Sequence, residues 1–278
     1  MEPARIALAQ INAHVGSIDR NLETIADFTS KAASKNAEII CFPELAVCGY
    51  NSGHAARLAE TIPGPTSTAL ISMAKRNNIT ILAGMVEQSG RSKPYITQLL
   101  ATPEGTIHTF RKVHLGKKEL EFFSPGENIT GFSYKNMKVG VGICWDMHFP
   151  EMATILSLRG CEIIFAPHAS PAAAGDRKKI WLKYLPARAY DNAVYVAACN
   201  LVGNDGYQKF SGGLLVLDPK GNIVKEFFEQ TEQLLVVDLD AKVINSLRYG
   251  NEQSMGNAFY LNGRRPHLYG ELVEKTRI

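Results

Sequence analysis

Three side chains suited to making and breaking bonds each follow an apolar run. Glu44 follows AEIICFP, Lys112 follows IHTFR and Cys144 follows KVGVGI. A thiol attacks carbon well only as the thiolate, so it needs a base to take its proton and a cation close by. Glu44 suits the first task, and Lys112 suits the holding of a developing oxyanion. Attack on a carbonyl or nitrile carbon would give a covalent thioester or thioimidate, which water would release. Each residue alone also has a plainer reading: a cap or solvent group for the glutamate, a surface charge for the lysine, a core sulfur for the cysteine. Spacing leaves both readings open.

The elements that must position these residues alternate along the chain. Strand-like runs cover Arg5 to Ile11, Ala37 to Phe42, Ile79 to Val86, Lys138 to Ile143, Ile163 to Pro167, Val194 to Cys199 and Leu234 to Leu239. Helical spacing marks Asn21 to Ala33, Thr66 to Asn77, Pro150 to Leu158 and Asp176 to Asn192, the last interrupted near Pro186. Pro103-Glu104-Gly105 and Asp218-Pro219-Lys220-Gly221 are turn signals between strand pairs, so each predicts a hairpin. Interleaved βαβ units and hairpins imply α/β layers with mixed sheets. Strand ends in such folds are where sites are built. No linker or composition break interrupts residues 5–240, so residues 1–278 read as one domain. The tail from about residue 248 to 278 lacks periodicity and is expected to pack on its own body or a neighbouring subunit.

Composition narrows the function classes. The 278 residues are 45% hydrophobic and 21% charged with a net charge of +3, which gives no footprint for nucleic acid. The short run Arg177-Lys178-Lys179 reads as a solvated helix face, with a substrate or partner patch as the alternative. No apolar stretch is long enough to span a bilayer, and the N-terminal residues show no signal-peptide pattern. The five cysteines lack close CxxC spacing, which points to reduced thiols and a cytoplasmic protein.

At these residues the chain resembles the nitrilase superfamily of carbon–nitrogen hydrolases. The resemblance is carried by FPELAVCGY (Phe42 to Tyr50), FRKVHL (Phe110 to Leu115), EFFSPG (Glu121 to Gly126) and GICWDMHFPE (Gly142 to Glu151). It continues through ARAYDNAVYVAACNLVG, SGGLLVLDPKGNIV and RRPHLYG. It implies a four-layer α-β-β-α sandwich with two mixed sheets, assembled as a homodimer or higher homo-oligomer with the tail at the interface. It implies Glu44 as general base, Lys112 as oxyanion holder, Cys144 as nucleophile and Glu119 as a second glutamate that positions lysine and substrate. The backbone N–H of Trp145 is then the second oxyanion donor. The reaction implied is cleavage of a non-peptide C–N bond in a small carboxamide or N-carbamoyl compound, with water as co-substrate and ammonia released. A nitrile substrate, or a non-catalytic binding protein of the same fold, is the alternative. Neither cofactor nor metal is required.

Around this core, other residues carry expectations of their own. The thiol of Cys144, ahead of the helix starting at Pro150 and close to Lys112, is expected to have a lowered pKa, opposed by Glu44 and Glu119. His168, at the end of a strand, reads as a substrate contact or a hydrogen-bonded structural group. His148 reads as pocket lining or a helix cap. His114, two residues beyond Lys112 on an extended segment, is expected on the same side, positioning the lysine–glutamate network. Tyr50 reads as a pocket border or plain packing, and Asp146 as a binder of backbone N–H groups at the turn. Ala169 to Asp176 reads as a pocket rim. These histidines with Cys144 or Asp146 fit no common zinc spacing. Relatives that bind a substrate carboxylate place arginines shortly after the cysteine, where this chain has Met147 and His148.

Overall fold

The computed structural model describes residues 1–90, 92–250, 254 and 257–274. Fourteen strands are described: β1 (Ala4–Gln10), β2 (Ile39–Cys41), β3 (Thr80–Glu87), β4 (Tyr95–Ala101), β5 (Ile107–Arg111), β6 (Gly131–Tyr134), β7 (Met137–Val141), β8 (Ile163–His168), β9 (Tyr195–Asn200), β10 (Val202–Asn204), β11 (Lys209–Ser211), β12 (Leu214–Leu217), β13 (Ile223–Phe227) and β14 (Gln233–Leu239). The helices are α1 (Ile18–Ser34), α2 (Ala55–Leu58), α3 (Pro65–Asn77), α4 (Glu119–Phe122), α5 (Pro150–Leu158), α6 (Arg177–Trp181), α7 (Leu185–Asn192) and α8 (Ala241–Tyr249).

Two six-stranded sheets form, in the orders β14-β1-β2-β3-β4-β5 and β13-β12-β9-β8-β7-β6. Both are mixed. β1, β2 and β3 run parallel to one another, as do β7, β8 and β9, and the outer strands join antiparallel. Alternation along β1 shows how the layers stack. Ile6 and Leu8 enter the core shared with the second sheet, whereas Ala7 and Ala9 enter the core shared with α1 and α3. On α1, Ile25, Phe28 and Ala32 recur at helical spacing and seal that outer layer. Met152 and Leu156 of α5 and Leu185 and Ala189 of α7 cover the far face of the second sheet. The stack is helix, sheet, sheet, helix. β14 pairs with β1 over Ala4↔Leu239 to Gln10↔Gln233, so the two ends of the chain close one sheet.

The interruption expected within Asp176 to Asn192 is present and falls just ahead of Pro186, dividing the segment into α6 and α7, with Pro186 in the first turn of the second, where its missing N–H costs no bond. Several elements differ from the sequence reading. β6, the β10–β11 hairpin and α8 have no counterpart in it. β6, β10 and β11 are too short to show a period. The tail from Arg248 onward packs partly on its own body. Arg248 donates to the carbonyls of Ala193 at 2.9 Å and Cys161 at 2.6 Å, and the hydroxyls of Tyr190 and Tyr260 meet at 2.7 Å. Residues 251–253, 255, 256 and 275–278 of that tail lie outside the described residues. Among the described residues no helix is long and apolar enough to cross a membrane.

Candidate active site

Glu44, Lys112, Glu119 and Cys144 come from four separate segments and line one cavity of about 580 Å³. Glu44 lies just beyond β2, in a segment pressed against β3. A side chain on Gly84 would place its Cβ 2.3 Å from the Leu45 nitrogen, so only glycine admits that approach. Lys112 follows β5, Glu119 opens α4, and Cys144 opens a 3₁₀ turn, Cys144–His148, beyond β7. Cys144 itself has φ +47°, an uncommon left-handed backbone for a residue with a side chain.

Lys112 is the hub. Its Nζ donates to Glu44 Oε1 and to Glu119 Oε1, both at 2.7 Å, with all three side chains buried. The remaining carboxylate oxygens are also engaged. Glu44 Oε2 accepts the Ala169 N–H at 3.0 Å, and Glu119 Oε2 accepts the Gly116 N–H at 2.8 Å. The Tyr50 hydroxyl donates to Glu119 Oε1 at 2.7 Å. Tyr50 therefore lines the pocket and fixes the second glutamate at once.

Electrostatics in this buried cluster follow from desolvation. Burial raises the Glu44 carboxyl to about 7; the Lys112 charge opposes that rise, and the Glu119 charge adds to it. Burial also pushes the Cys144 thiol up to about 12, with Glu44 adding and Lys112 opposing. The expected lowering of the thiol pKa does not occur. Burial, reinforced by the charges of Glu44 and Glu119, outweighs the opposing charge of Lys112. The resting sulfur is protonated. Its Sγ lies 3.8 Å from the Ser170 hydroxyl.

The turn that carries Cys144 is braced by Asp146. This fully buried carboxylate accepts the N–H groups of Ile143 at 3.0 Å, Val113 at 3.2 Å and His114 at 2.7 Å, and pairs with His114 Nδ1 at 2.9 Å. One side chain thus ties the cysteine turn to the lysine segment. His114 is not where the sequence reading put it. β5 ends at Arg111, so the alternation of a strand does not extend to residue 114. Its ring stacks on Phe149 at 3.8 Å, outside the residues that line the pocket.

His148, His168 and Trp145 also line the cavity. His168 is buried, and its Nδ1 donates to the Ala166 carbonyl at 2.7 Å, which fixes the tautomer. Burial pulls its pKa down to about 3, and the Arg177 charge adds to that, so the ring stays neutral. The His148 ring packs at a tilt against Tyr184, with ring centres 4.4 Å apart, and approaches Trp145 at 5.0 Å. The side chain of Met147 is buried beneath Gly142. Ala169 and Ser170 do border the pocket, as does Pro171. Ser170 is held by Asn200, which accepts its N–H at 2.7 Å.

Tyr184 and Gln208 line the cavity without having been singled out from sequence, and Arg177 lines it although its run was read first as a solvated helix face. The basic run is the clearest correction. Only Lys178 and Lys179 face solvent, whereas Arg177 turns inward and is 7% exposed. The proline-small-residue rim just before it was the available signal. Among the described residues no cluster of His, Cys, Asp or Glu is arranged to hold a metal ion.

Two mixed sheets between helix layers, with a cysteine, a lysine and two glutamates converging on one cavity, define a hydrolase-type α/β sandwich. Residues 5–249 match the carbon-nitrogen hydrolase family, and the chain belongs to that family, within the nitrilase superfamily. A nitrilase of Pyrococcus abyssi is 31% identical over 249 residues, covering 88% of this chain and 92% of that protein. An omega-amidase of Mus musculus is 32% identical over 260 residues, covering 89% and 92%. Among solved structures, an amidase of Nesterenkonia sp. AN1 superposes with a TM-score of 0.84 at 28% identity, covering 97% of this chain and all of that one. A mutant of that amidase has been solved in complex with butyramide, with a TM-score of 0.83 and 28% identity, covering 97% of each chain.

Proposed function

We propose that this protein is a cysteine-dependent amidohydrolase that cleaves small carboxamides or N-carbamoyl compounds and releases ammonia. One observation carries the reading. Lys112 lies 2.7 Å from both Glu44 and Glu119, with the Cys144 thiol beside Glu44 in the same cavity. The omega-amidase relative and the butyramide complex of the Nesterenkonia amidase support an amide as substrate.

The chemistry follows from the geometry. The amide carbonyl enters with its oxygen toward Lys112 Nζ and the Trp145 N–H. Early N–H groups of a helical turn lack intrahelical acceptors, so they are available to an anion. Glu44 takes the thiol proton as sulfur bonds to the carbonyl carbon. The tetrahedral intermediate collapses, the C–N bond breaks, and Glu44 returns the proton to the leaving nitrogen as ammonia. A thioester remains. Water then gives a proton to Glu44 and bonds to the same carbon, the C–S bond breaks, and the acid product leaves with the thiol restored. Because the resting sulfur is neutral, it becomes reactive as a bound electrophile meets it and Glu44 takes its proton. A site of this kind resists adventitious oxidation.

The same reading takes the active form to be a homodimer or higher homo-oligomer, with no nucleic-acid or membrane partner. All five cysteines are free thiols, which supports the reducing cytoplasm as its location.

An ammonia-release assay with butyramide and N-carbamoyl compounds tests the proposal. Cys144→Ala is expected to lower kcat at least about 1000-fold. Iodoacetamide is expected to label Cys144 ahead of Cys161 and Cys199. Unchanged ammonia release by Cys144→Ala would overturn the mechanism.

A further inference from the structure

Just beyond β8, consecutive residues meet the base and the nucleophile. The Ala169 N–H donates to Glu44 Oε2 at 3.0 Å, so it holds the base. The Ser170 hydroxyl lies 3.8 Å from Cys144 Sγ, so it faces the nucleophile. The hydrolytic steps use Glu44, Lys112 and the Trp145 N–H, and they leave this hydroxyl without a role. Ser170 is 8% exposed, and among the described residues its hydroxyl has no other hydrogen-bond partner.

The residue is fixed through its backbone instead. Asn200, fully buried at the end of β9, accepts the Ser170 N–H at 2.7 Å and donates to the Ser170 carbonyl at 3.2 Å. The same amide nitrogen donates to the Gly212 carbonyl at 2.9 Å and to Ser211 Oγ at 3.2 Å. One side chain of the neighbouring strand thus clamps residue 170 through its N–H and its carbonyl, and the hydroxyl has no share in the clamp. A buried hydroxyl costs free energy unless it is hydrogen-bonded, and a neutral sulfur is a weak acceptor. A sulfur carrying negative charge is a strong one.

The sulfur carries such charge twice in the reaction. In acylation the S–H bond breaks toward Glu44 as the C–S bond forms. In deacylation the C–S bond breaks, and the sulfur leaves with the electron pair before Glu44 returns its proton. Lys112 is tied to both glutamates and serves the carbonyl oxygen, as does the Trp145 N–H. Burial and the charges of Glu44 and Glu119 all disfavour the thiolate. The sulfur therefore needs a donor of its own.

We propose that the Ser170 hydroxyl is a catalytic hydrogen-bond donor to the Cys144 sulfur, a contact weak at rest and strengthened whenever the sulfur bears negative charge. Ser170 keeps its own proton throughout. The proton that moves is the thiol's, between Sγ and Glu44. A separation of 3.8 Å suits the resting state, since catalytic hydrogen bonds are often long before substrate binds and tighten afterwards. The inference rests on the amidohydrolase reading for turnover, but the donor can be tested on the sulfur alone.

Iodoacetamide forms a C–S bond at its methylene carbon and expels iodide while the thiol proton passes to Glu44, so no oxyanion develops. Labelling rates at fixed pH, read by mass spectrometry of the separate cysteine peptides, give the first arm. Ser170→Ala is expected to slow labelling of Cys144 about 10-fold and to leave labelling of Cys161 unchanged. Ser170→Thr keeps a hydroxyl at the position and is expected to recover most of the rate. The second arm is ammonia release from butyramide. There Ser170→Ala is expected to lower kcat about 10-fold with KM within about 2-fold of the parent, because the bond strengthens in the transition state and not in the bound ground state. Asn200 holds only the backbone of residue 170, so Ser170→Ala is expected to melt with the parent, which separates a lost donor from a lost fold.

Cys144 labelling that is unchanged in Ser170→Ala would overturn the proposal. Faster labelling would overturn it too, by showing that the hydroxyl accepts the thiol proton at rest and keeps it from Glu44. So would a loss of turnover carried by KM alone, which would place the hydroxyl on the substrate. Slower Cys144 labelling in Ser170→Ala, in a protein that releases no ammonia from any amide, would uphold the donor and overturn the reaction.

Discussion

At the scale of single residues, the site runs on the difference between two buried acids. Glu44 titrates near 7 because burial disfavours its charge, and Cys144 near 12 because burial and two carboxylates disfavour the thiolate. The base must be deprotonated to act, so activity falls as pH drops through the raised value of Glu44. We predict an acid limb in kcat/KM near pH 7; a limb near 4.5, the ordinary value for glutamate, would show that burial does not tune this carboxyl. Residue types and strand ends made Glu44, Lys112 and Cys144 legible from sequence as a workable set. The sign of the thiol shift was not legible, because it depends on how many atoms bury the sulfur and on two carboxylates brought in from distant segments. Arg177 was hidden for a related reason. Its neighbours Lys178 and Lys179 do face solvent, and a run of three basic residues does not reveal that the first turns inward.

At the scale of elements, the site depends on segments that have left regular structure. Glu44, Lys112 and Cys144 each lie just past a strand, where the backbone escapes the ladder but remains anchored by it. Asp146 joins two of these ends, accepting N–H groups from Ile143, Val113 and His114. Asp146→Ala leaves those groups and the His114 ring without their acceptor. It is expected to cost about 2–4 kcal/mol of stability and to reduce turnover with it. Denaturant unfolding beside ammonia release measures both, and a variant with parental stability would contradict the bracing role. The sequence located Asp146 as a turn binder correctly. It misplaced His114 because it extended the strand's alternation beyond Arg111, where the ladder had already ended. The α4 turn bearing Glu119 shows no period of its own, and only the family resemblance marked it.

At the scale of the whole molecule, two sheets from alternating elements press face to face and bring four distant segments to one cavity. Long apolar periods made the central strands and α1, α3 and α5 legible, whereas the layering needed the resemblance, since periodicity does not say which faces meet. Tyr249, Leu268, Leu272 and Val273 stand exposed toward the C-terminal end. Apolar groups in such number favour a covering surface. We predict a dimer or larger assembly by light scattering, reduced to monomer by removal of residues 260–278; a monomeric full-length chain would contradict it. The central claim is that Cys144 carries the acyl group. It is tested most directly by intact-mass and peptide mass spectrometry of enzyme acid-quenched during turnover of butyramide. The account predicts a butyryl adduct confined to the peptide containing Cys144 and absent from Cys144→Ala; ammonia release with no adduct on that peptide at any quench time would contradict it.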